Sequence, residues 1–227
     1  MKNKSYILIG FVVLVFGIIF VPKIVERFKN NEVVDSDRHA VGTKKVTIED
    51  LAKMGKVPDF EFVNQHGDTI SNADYEGKVY VVEFFFTTCP SICPIMNTNM
   101  VKLQNQFKDE EDFAVASFTI NPEHDTPEVL KEYADKYGVT NPNWHMMTGD
   151  MQHIYALSNT GFNLYAGVNE NVDGGFEHSG FFALIDRDGY IRSRNDDFGN
   201  PIVYYDGTED KGVQMIAQDI KTLLKDK

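Results

Sequence analysis

The chain has 227 residues, of which 22 are Lys or Arg and 34 are Asp or Glu, so its formal net charge is −12. Hydrophobic residues make up 42% and charged residues 25%, which is ordinary globular composition and excludes a disordered chain or a polytopic membrane protein. The acidic balance argues against nucleic acid as a partner, because phosphate binding requires clustered Lys and Arg. With 2 cysteines, a disulfide-dense scaffold and a four-cysteine zinc site are also excluded.

An uncharged apolar run near the amino terminus, YILIGFVVLVFGIIFV, predicts a membrane anchor. With its flanks it reaches the roughly 17–25 residues that a spanning helix needs. We expect a cytoplasmic tail at 1–5, a transmembrane helix at 6–25 and a polar tether at 26–46. A cleaved signal peptide is the alternative, although no small-residue cleavage site follows the run.

The remaining segment, 47–227, is expected to be an exported acidic domain. Lysines in the short tail and the long domain beyond the anchor favour a single-pass protein of the cell (inner) membrane. Its domain would then lie on the extracytoplasmic (periplasmic) side, where cysteines persist as thiols or as disulfides.

From about residue 57 the pattern is that of an α/β domain. Alternating Phe60 and Phe62, a His-Gly-Asp turn and Thr69 predict a short hairpin. The near-continuous apolar run VYVVEFFF at 79–86 predicts a central strand that is covered on both faces. A helix should begin at Pro94, since proline suits the first helical turn.

The second half continues the alternation of strands and helices. The apolar segment at 114–120 predicts another buried strand, and Thr126 with Pro127 predicts a capped helix that ends at Gly138. The other expected elements are a helix at 150–160, a hairpin in GFFALIDRDGYIRS and a closing helix within 209–225. This order predicts a thioredoxin-like α/β fold with an added β-hairpin, preceded by one N-terminal transmembrane helix.

The most informative local feature is TTCPSICP, which places Cys89 and Cys93 between the central strand and the helix after it. The free N–H groups and the positive dipole end at the start of that helix favour thiolate over thiol. A purely stabilising disulfide is the alternative, but closing so short a ring restricts the unfolded chain little. We therefore expect the pair to act chemically, as a redox-active dithiol or as metal ligands.

Among the histidines, His178 is the best candidate for a third ligand, because it directly precedes an apolar strand that should enter the sheet opposite the cysteine loop. The other five are interpreted as surface or packing residues: His39, His66, His124, His145 and His153. Two thiolates and one imidazole suit copper in either oxidation state, and zinc would also accept them. The methionines at helical spacing are better interpreted as core residues than as thioether ligands.

Glu83 interrupts the apolar central strand. If it were buried, its pKa would be raised and it could relay protons. We expect it instead to reach solvent at a surface of the sheet.

The segments FFFTTCPSICP, INPEHDTPEVLKEYADKYGV and EHSGFFALIDRDGYIRS, together with the anchor and tether, resemble the Sco/SenC family over about residues 57–227. The resemblance implies a membrane-anchored, thioredoxin-fold copper protein that assists assembly of the dinuclear copper (CuA) site of cytochrome c oxidase. It further implies one copper per monomer, Cu(I) or Cu(II), held by Cys89, Cys93 and His178. Many relatives have Asp where this chain has Asn121, which can neither take a proton nor hold a charge.

Three functions follow from this resemblance and from the residues. The first is a metallochaperone that delivers copper to the copper-bearing subunit of the oxidase and receives it from another copper chaperone. The second is a thiol–disulfide oxidoreductase that reduces the cysteines of a copper-site target, itself served by a thioredoxin-like reductant. In that case Cys89 and Cys93 are the catalytic pair and His178 is dispensable. A copper or redox sensor is the least supported, because the chain offers no output module.

Overall fold

The computed structural model describes residues 14–16, 21, 46–169, 171–172 and 174–226. The chain divides into two compact units, Met1–Lys44 and Lys45–Lys227. In the first unit, 14–16 and 21 have helical backbone, and the rest of the predicted tail, anchor and tether up to residue 45 lies outside the described residues. Within the described part, no helix has both the length and the apolar character that crossing a membrane requires.

The second unit is built on a mixed β-sheet. Its strands are β1 (Leu51–Lys56), β2 (Glu61–Asn64), β3 (Thr69–Ser71), β4 (Val79–Phe85), β5 (Phe113–Thr119), β6 (Trp144–Thr148), β9 (Phe181–Ile185), β10 (Tyr190–Arg194) and β11 (Tyr205–Asp206). They are ordered β1-β10-β9-β4-β5-β6-β2-β3, and β11 also pairs with β9. The central strands β4, β5 and β6 are parallel, and β9 and β2 flank them antiparallel. Two further strands, β7 (Ala166–Val168) and β8 (Phe176–His178), form a separate antiparallel pair.

Four α-helices complete the domain within residues 46–226. They are α1 (Ile92–Gln106), α2 (Pro127–Tyr137), α3 (Met151–Ala156) and α4 (Asp210–Lys225). A π-helical turn at Leu157–Gly161 continues α3, and 3-10 turns lie at Ile48–Asp50 and Asn72–Tyr75.

The helix boundaries follow from the local chemistry. The Thr126 hydroxyl accepts a hydrogen bond from Val129 N, and Gly138 ends α2 with a φ of 73°, both as predicted. The first helix begins at Ile92, two positions before the predicted start at Pro94. Proline is tolerated as the third helical residue because an N–H there still has no intrahelical acceptor. Cys93 therefore lies inside the first helical turn.

The predicted thioredoxin-like arrangement and both predicted hairpins are present: β2 pairs with β3, and β9 pairs with β10 around the Asp-Gly turn. Every residue of β4 and β5 is buried, as expected for strands covered on both faces. Five strands were not predicted from the sequence: β1, β6, β7, β8 and β11. The segment of β1, LAKMGK, shows no hydrophobic alternation, and its conformation depends on pairing with β10.

Candidate metal-binding site

The two cysteines lie in and just beyond the connection between β4 and α1. Cys89 is in the connecting turn and Cys93 is the second residue of the helix. Both are free thiols. Both residues are buried, but the exposed fraction is 8% for Cys89 and 0% for Cys93, so Cys89 lies nearer the surface.

His178 reaches the cysteines from the β7–β8 hairpin, of which it is the last residue. The edge of the Phe86 ring and the His178 ring are packed nearly perpendicular, with centroids 5.8 Å apart. The Nδ1–H group donates to the backbone oxygen of Ser179 at 3.0 Å. This bond leaves Nε2 with its lone pair facing the sulfurs, which is the arrangement in which imidazoles bind metals.

The turn that precedes β8 also packs on the cysteine loop. Gly174 has a φ of 92°, and a Cβ atom there would lie 3.0 Å from Phe86 Cε2 and 3.2 Å from Pro90 Cδ. A side chain at this position would meet both a strained backbone and a steric clash. The glycine therefore lets the hairpin lie close enough for His178 to reach the thiols.

The three sequence-predicted ligands converge on one point. The distance from Cys93 Sγ to His178 Nε2 is 2.9 Å. One ligand atom from each of Cys89, Cys93 and His178 lies within 4.8 Å of the other two. This set of two thiols and one imidazole fits a soft or borderline metal ion such as copper.

The surroundings of the two sulfurs shift their pKa values in opposite directions. Hydrogen bonding with Cys93 lowers the pKa of Cys89 from its ordinary 9.0 to about 3, assisted by His178 and by the backbone N–H groups of Cys93 and Ser91. Burial raises the pKa of Cys93, and its hydrogen bond with Cys89 adds to this effect. The pair therefore consists of a thiolate nearer the surface and a fully buried thiol.

Glu83 does not reach solvent, so that expectation was wrong. Its exposed fraction is 0%, because β4 is covered on both faces. The Ser117 hydroxyl donates to Glu83 Oε1 at 2.7 Å and accepts from Trp144 Nε1 at 3.0 Å. Burial raises the pKa of Glu83 from 4.5 to about 7, although the Ser117 hydrogen bond and His178 oppose the shift. Proton relay by this carboxyl group therefore stays a prediction.

The other candidate ligands lie elsewhere or serve in packing. Met96, Met100, Met146 and Met147 are fully buried core residues. Of the remaining histidines, His66 and His153 are exposed, whereas His145 is half-buried with Nδ1 3.2 Å from Asn64 Nδ2. His39 lies outside the described residues.

Two residues beside the site, Thr87 and Asp125, were not predicted from the sequence. Asp125 is fully buried and its carboxylate binds the backbone N–H of Thr87, two positions before Cys89. The sequence contained only a weak signal, an Asp directly before the Thr-Pro start of α2. Asn121 lies on the same loop and accepts from Asp125 N through its backbone oxygen.

The mixed sheet with flanking helices, and a Cys-x-x-x-Cys turn that meets a histidine beyond the end of β4, define a thioredoxin-like protein with a dithiol–imidazole site. The SCO1/SenC family model matches residues 49–210. The chain belongs to this family.

Individual relatives agree with this assignment. The SCO1 protein homolog of Bacillus subtilis is 31% identical over 169 residues, which cover 74% of this chain and 82% of the relative. A putative copper-binding protein of Stutzerimonas stutzeri is 31% identical over 145 residues, covering 63% of this chain and 70% of the relative. The solved structure of BsSco is 30% identical with a TM-score of 0.64, over 76% of this chain and 95% of that one. BsSco is described as a member of the Sco family of cytochrome c oxidase assembly proteins with a disulfide switch.

Proposed function

We propose that this chain is a membrane-anchored copper metallochaperone. Its domain binds one copper ion through Cys89, Cys93 and His178 and delivers it to, or prepares, the CuA site of cytochrome c oxidase. The anchor is the apolar segment 6–25, and the domain works on the extracytoplasmic side of the cell membrane. Copper arrives from another copper chaperone and leaves to the copper-bearing oxidase subunit.

The convergence of two sulfurs and a free imidazole Nε2 within 4.8 Å carries this proposal. The Stutzerimonas relative, described as a putative copper-binding protein, and the oxidase-assembly role given for BsSco support copper as the cargo and the oxidase as the target. Since Cys89 is the more exposed of the two cysteines, the copper is open to ligand exchange on that side.

The test is an anaerobic titration of the reduced, metal-free full chain with Cu(II), followed by optical and EPR spectroscopy. We expect one Cu(II) per chain with intense sulfur-to-copper charge-transfer bands. Cys89→Ala, Cys93→Ala and His178→Ala should each abolish or shift these bands. His153→Ala removes an exposed histidine from α3 and should leave them unchanged. Stoichiometric binding that survives His178→Ala would remove that residue from the site.

A second function, thiol–disulfide oxidoreductase, is favoured because the Cys89 thiolate lies nearer the surface than the fully buried Cys93 thiol. The Cys89 thiolate would attack a disulfide of the target, forming a mixed disulfide and releasing one target thiolate. Cys93 would then lose its proton to that thiolate and attack Cys89, forming the Cys89–Cys93 disulfide and releasing the second target sulfur. Two electrons pass to the target, and a thioredoxin-like reductant would restore the pair.

The two functions are separated by His178. Reduction of a model disulfide, such as oxidised glutathione, requires both cysteines and should survive His178→Ala. Copper binding should require all three residues. A chain that binds no copper but cycles its dithiol readily would be the oxidoreductase.

A further inference from the structure

The turn that carries Cys89 has few backbone bonds of its own. The peptide N–H of Cys89 donates to Phe86 O at 3.3 Å, and regular helix begins only at Ile92. A turn with so little internal bonding needs an external contact to hold one conformation, since fixing each residue costs backbone entropy.

Asp125 supplies that contact from the next loop of the sheet. Its carboxylate accepts from the Thr87 backbone N–H at 3.0 Å and also from the Thr87 hydroxyl. Thr119 Oγ1 donates to it at 2.5 Å, and His124 Nδ1 lies 2.8 Å away. These four donors occupy both carboxylate oxygens, and Asp125 itself is fully buried.

Position in the sheet explains why the carboxylate can reach the turn. Strands β4 and β5 are parallel neighbours, so the loops at their carboxyl ends emerge side by side. The Asp125 loop is itself fixed, because Asp125 N donates to Asn121 O at 2.9 Å and Thr126 caps α2. The carboxylate therefore links the hydrogen-bonded Asp125 loop to the less regular turn that carries Cys89.

We infer that Asp125 is a positioning residue that holds the Thr87–Cys89 turn so that the Cys89 sulfur faces Cys93 and His178. It touches none of the three, and it acts through Thr87. For metal binding this inference rests on the proposed copper site, whereas the geometry of the turn can be tested without metal.

The variants are Asp125→Asn, whose amide donor would face the existing donors, and the milder Thr87→Val, which removes only the hydroxyl contact. Thr87→Ser keeps the hydroxyl and is the rescue control. Asp219→Asn is the matched control for stability, since Asp219 is also fully buried but is bonded to Arg194 and Tyr205.

In the metal-free full chain, we expect amide hydrogen exchange at Thr87 and Cys89 to accelerate at least tenfold in Asp125→Asn, and less in Thr87→Val. Copper affinity should fall about tenfold, as for residues that orient metal ligands. Thr87→Ser and Asp219→Asn should change neither quantity. If Asp125→Asn folds and amide exchange at Thr87 and Cys89 is unchanged, the inference is overturned. If Asp125→Asn does not fold, unchanged exchange at these two residues in Thr87→Val overturns it. Absence of copper binding by the parent chain would overturn only the proposed function.

Discussion

His178 Nε2 lies 2.9 Å from Cys93 Sγ, although the two residues are 85 positions apart in the chain. The contact joins the first turn of α1 to a hairpin outside the main sheet. A disulfide between Cys89 and Cys93 would consume both sulfurs, so the redox state of the pair would gate metal binding at this point.

The first prediction concerns the reactivity of Cys89. Because its pKa is about 3, the sulfur is a thiolate throughout the neutral range. We expect iodoacetamide to alkylate Cys89 at a rate that is almost constant between about pH 5 and pH 8, whereas an ordinary thiol slows about tenfold per pH unit in that range. Mass spectrometry of the reduced, metal-free chain gives the rate for each cysteine. Cys93 should stay unmodified, and a tenfold loss per unit at Cys89 would contradict the assignment.

The second prediction concerns Glu83. Its native pKa of about 7 exceeds the ordinary 4.5, so between these values the native state holds a proton that the unfolded chain releases. Stability must therefore fall as pH rises through this window, by about 3 kcal/mol in total. Glu83→Gln stays neutral and keeps an acceptor for Ser117. Its stability relative to the parent chain should rise by about 3 kcal/mol between pH 4 and pH 8.

Urea unfolding of both proteins at several pH values measures this difference, in which the other titrating groups cancel. Glu61→Gln is the matched control, since it removes an exposed carboxylate from β2. A difference between Glu83→Gln and the parent chain that is independent of pH would show that Glu83 is ionised in the native state above its ordinary pKa.

The third prediction concerns the approach of α4 to β11. A Cβ atom on Gly212 would lie 2.1 Å from the backbone oxygen of Asp206. Gly212→Ala should therefore destabilise the domain by about 1–3 kcal/mol, although alanine is the better helix former. At Gly55, in β1, an added Cβ meets nothing within 4 Å, so Gly55→Ala should be neutral or slightly stabilising. Thermal unfolding of both variants checks the pair, and equal losses would contradict the steric explanation.

The fourth prediction concerns the buried ion pair between β10 and α4. Arg194 binds both carboxylate oxygens of Asp219, at 2.8 and 2.9 Å, and the Tyr205 hydroxyl donates to the same group at 2.7 Å. Arg194→Met leaves this carboxylate buried without its cation and should cost about 3–5 kcal/mol. Tyr205→Phe removes one neutral donor and should cost about 1–3 kcal/mol. Urea unfolding should rank them in that order.

Much of the fold could be predicted from local patterns. The apolar run of β4, the cap of α2 and the Asp-Gly turn between β9 and β10 each depend on a few adjacent residues, and all three are present. β1 and β6 were missed, since their conformation comes from pairing with strands distant in the chain. Glu83 was misjudged because a charged side chain was expected to reach solvent, although the apolar run of β4 predicts cover on both faces. Its hydrogen-bond partner Ser117 lies on another strand, which the pattern within β4 does not reveal.

The sequence by itself determined that two cysteines stand at a strand–helix junction, because that spacing and the turn chemistry are local. It also singled out His178 as their candidate partner. Only the tertiary structure decided that Nε2 of His178 lies close to the sulfurs and that the Asp125 carboxylate is hydrogen-bonded to the turn that carries Cys89. Both contacts depend on the order of strands in the sheet and on the packing of loops, which bring together residues that no local periodicity relates.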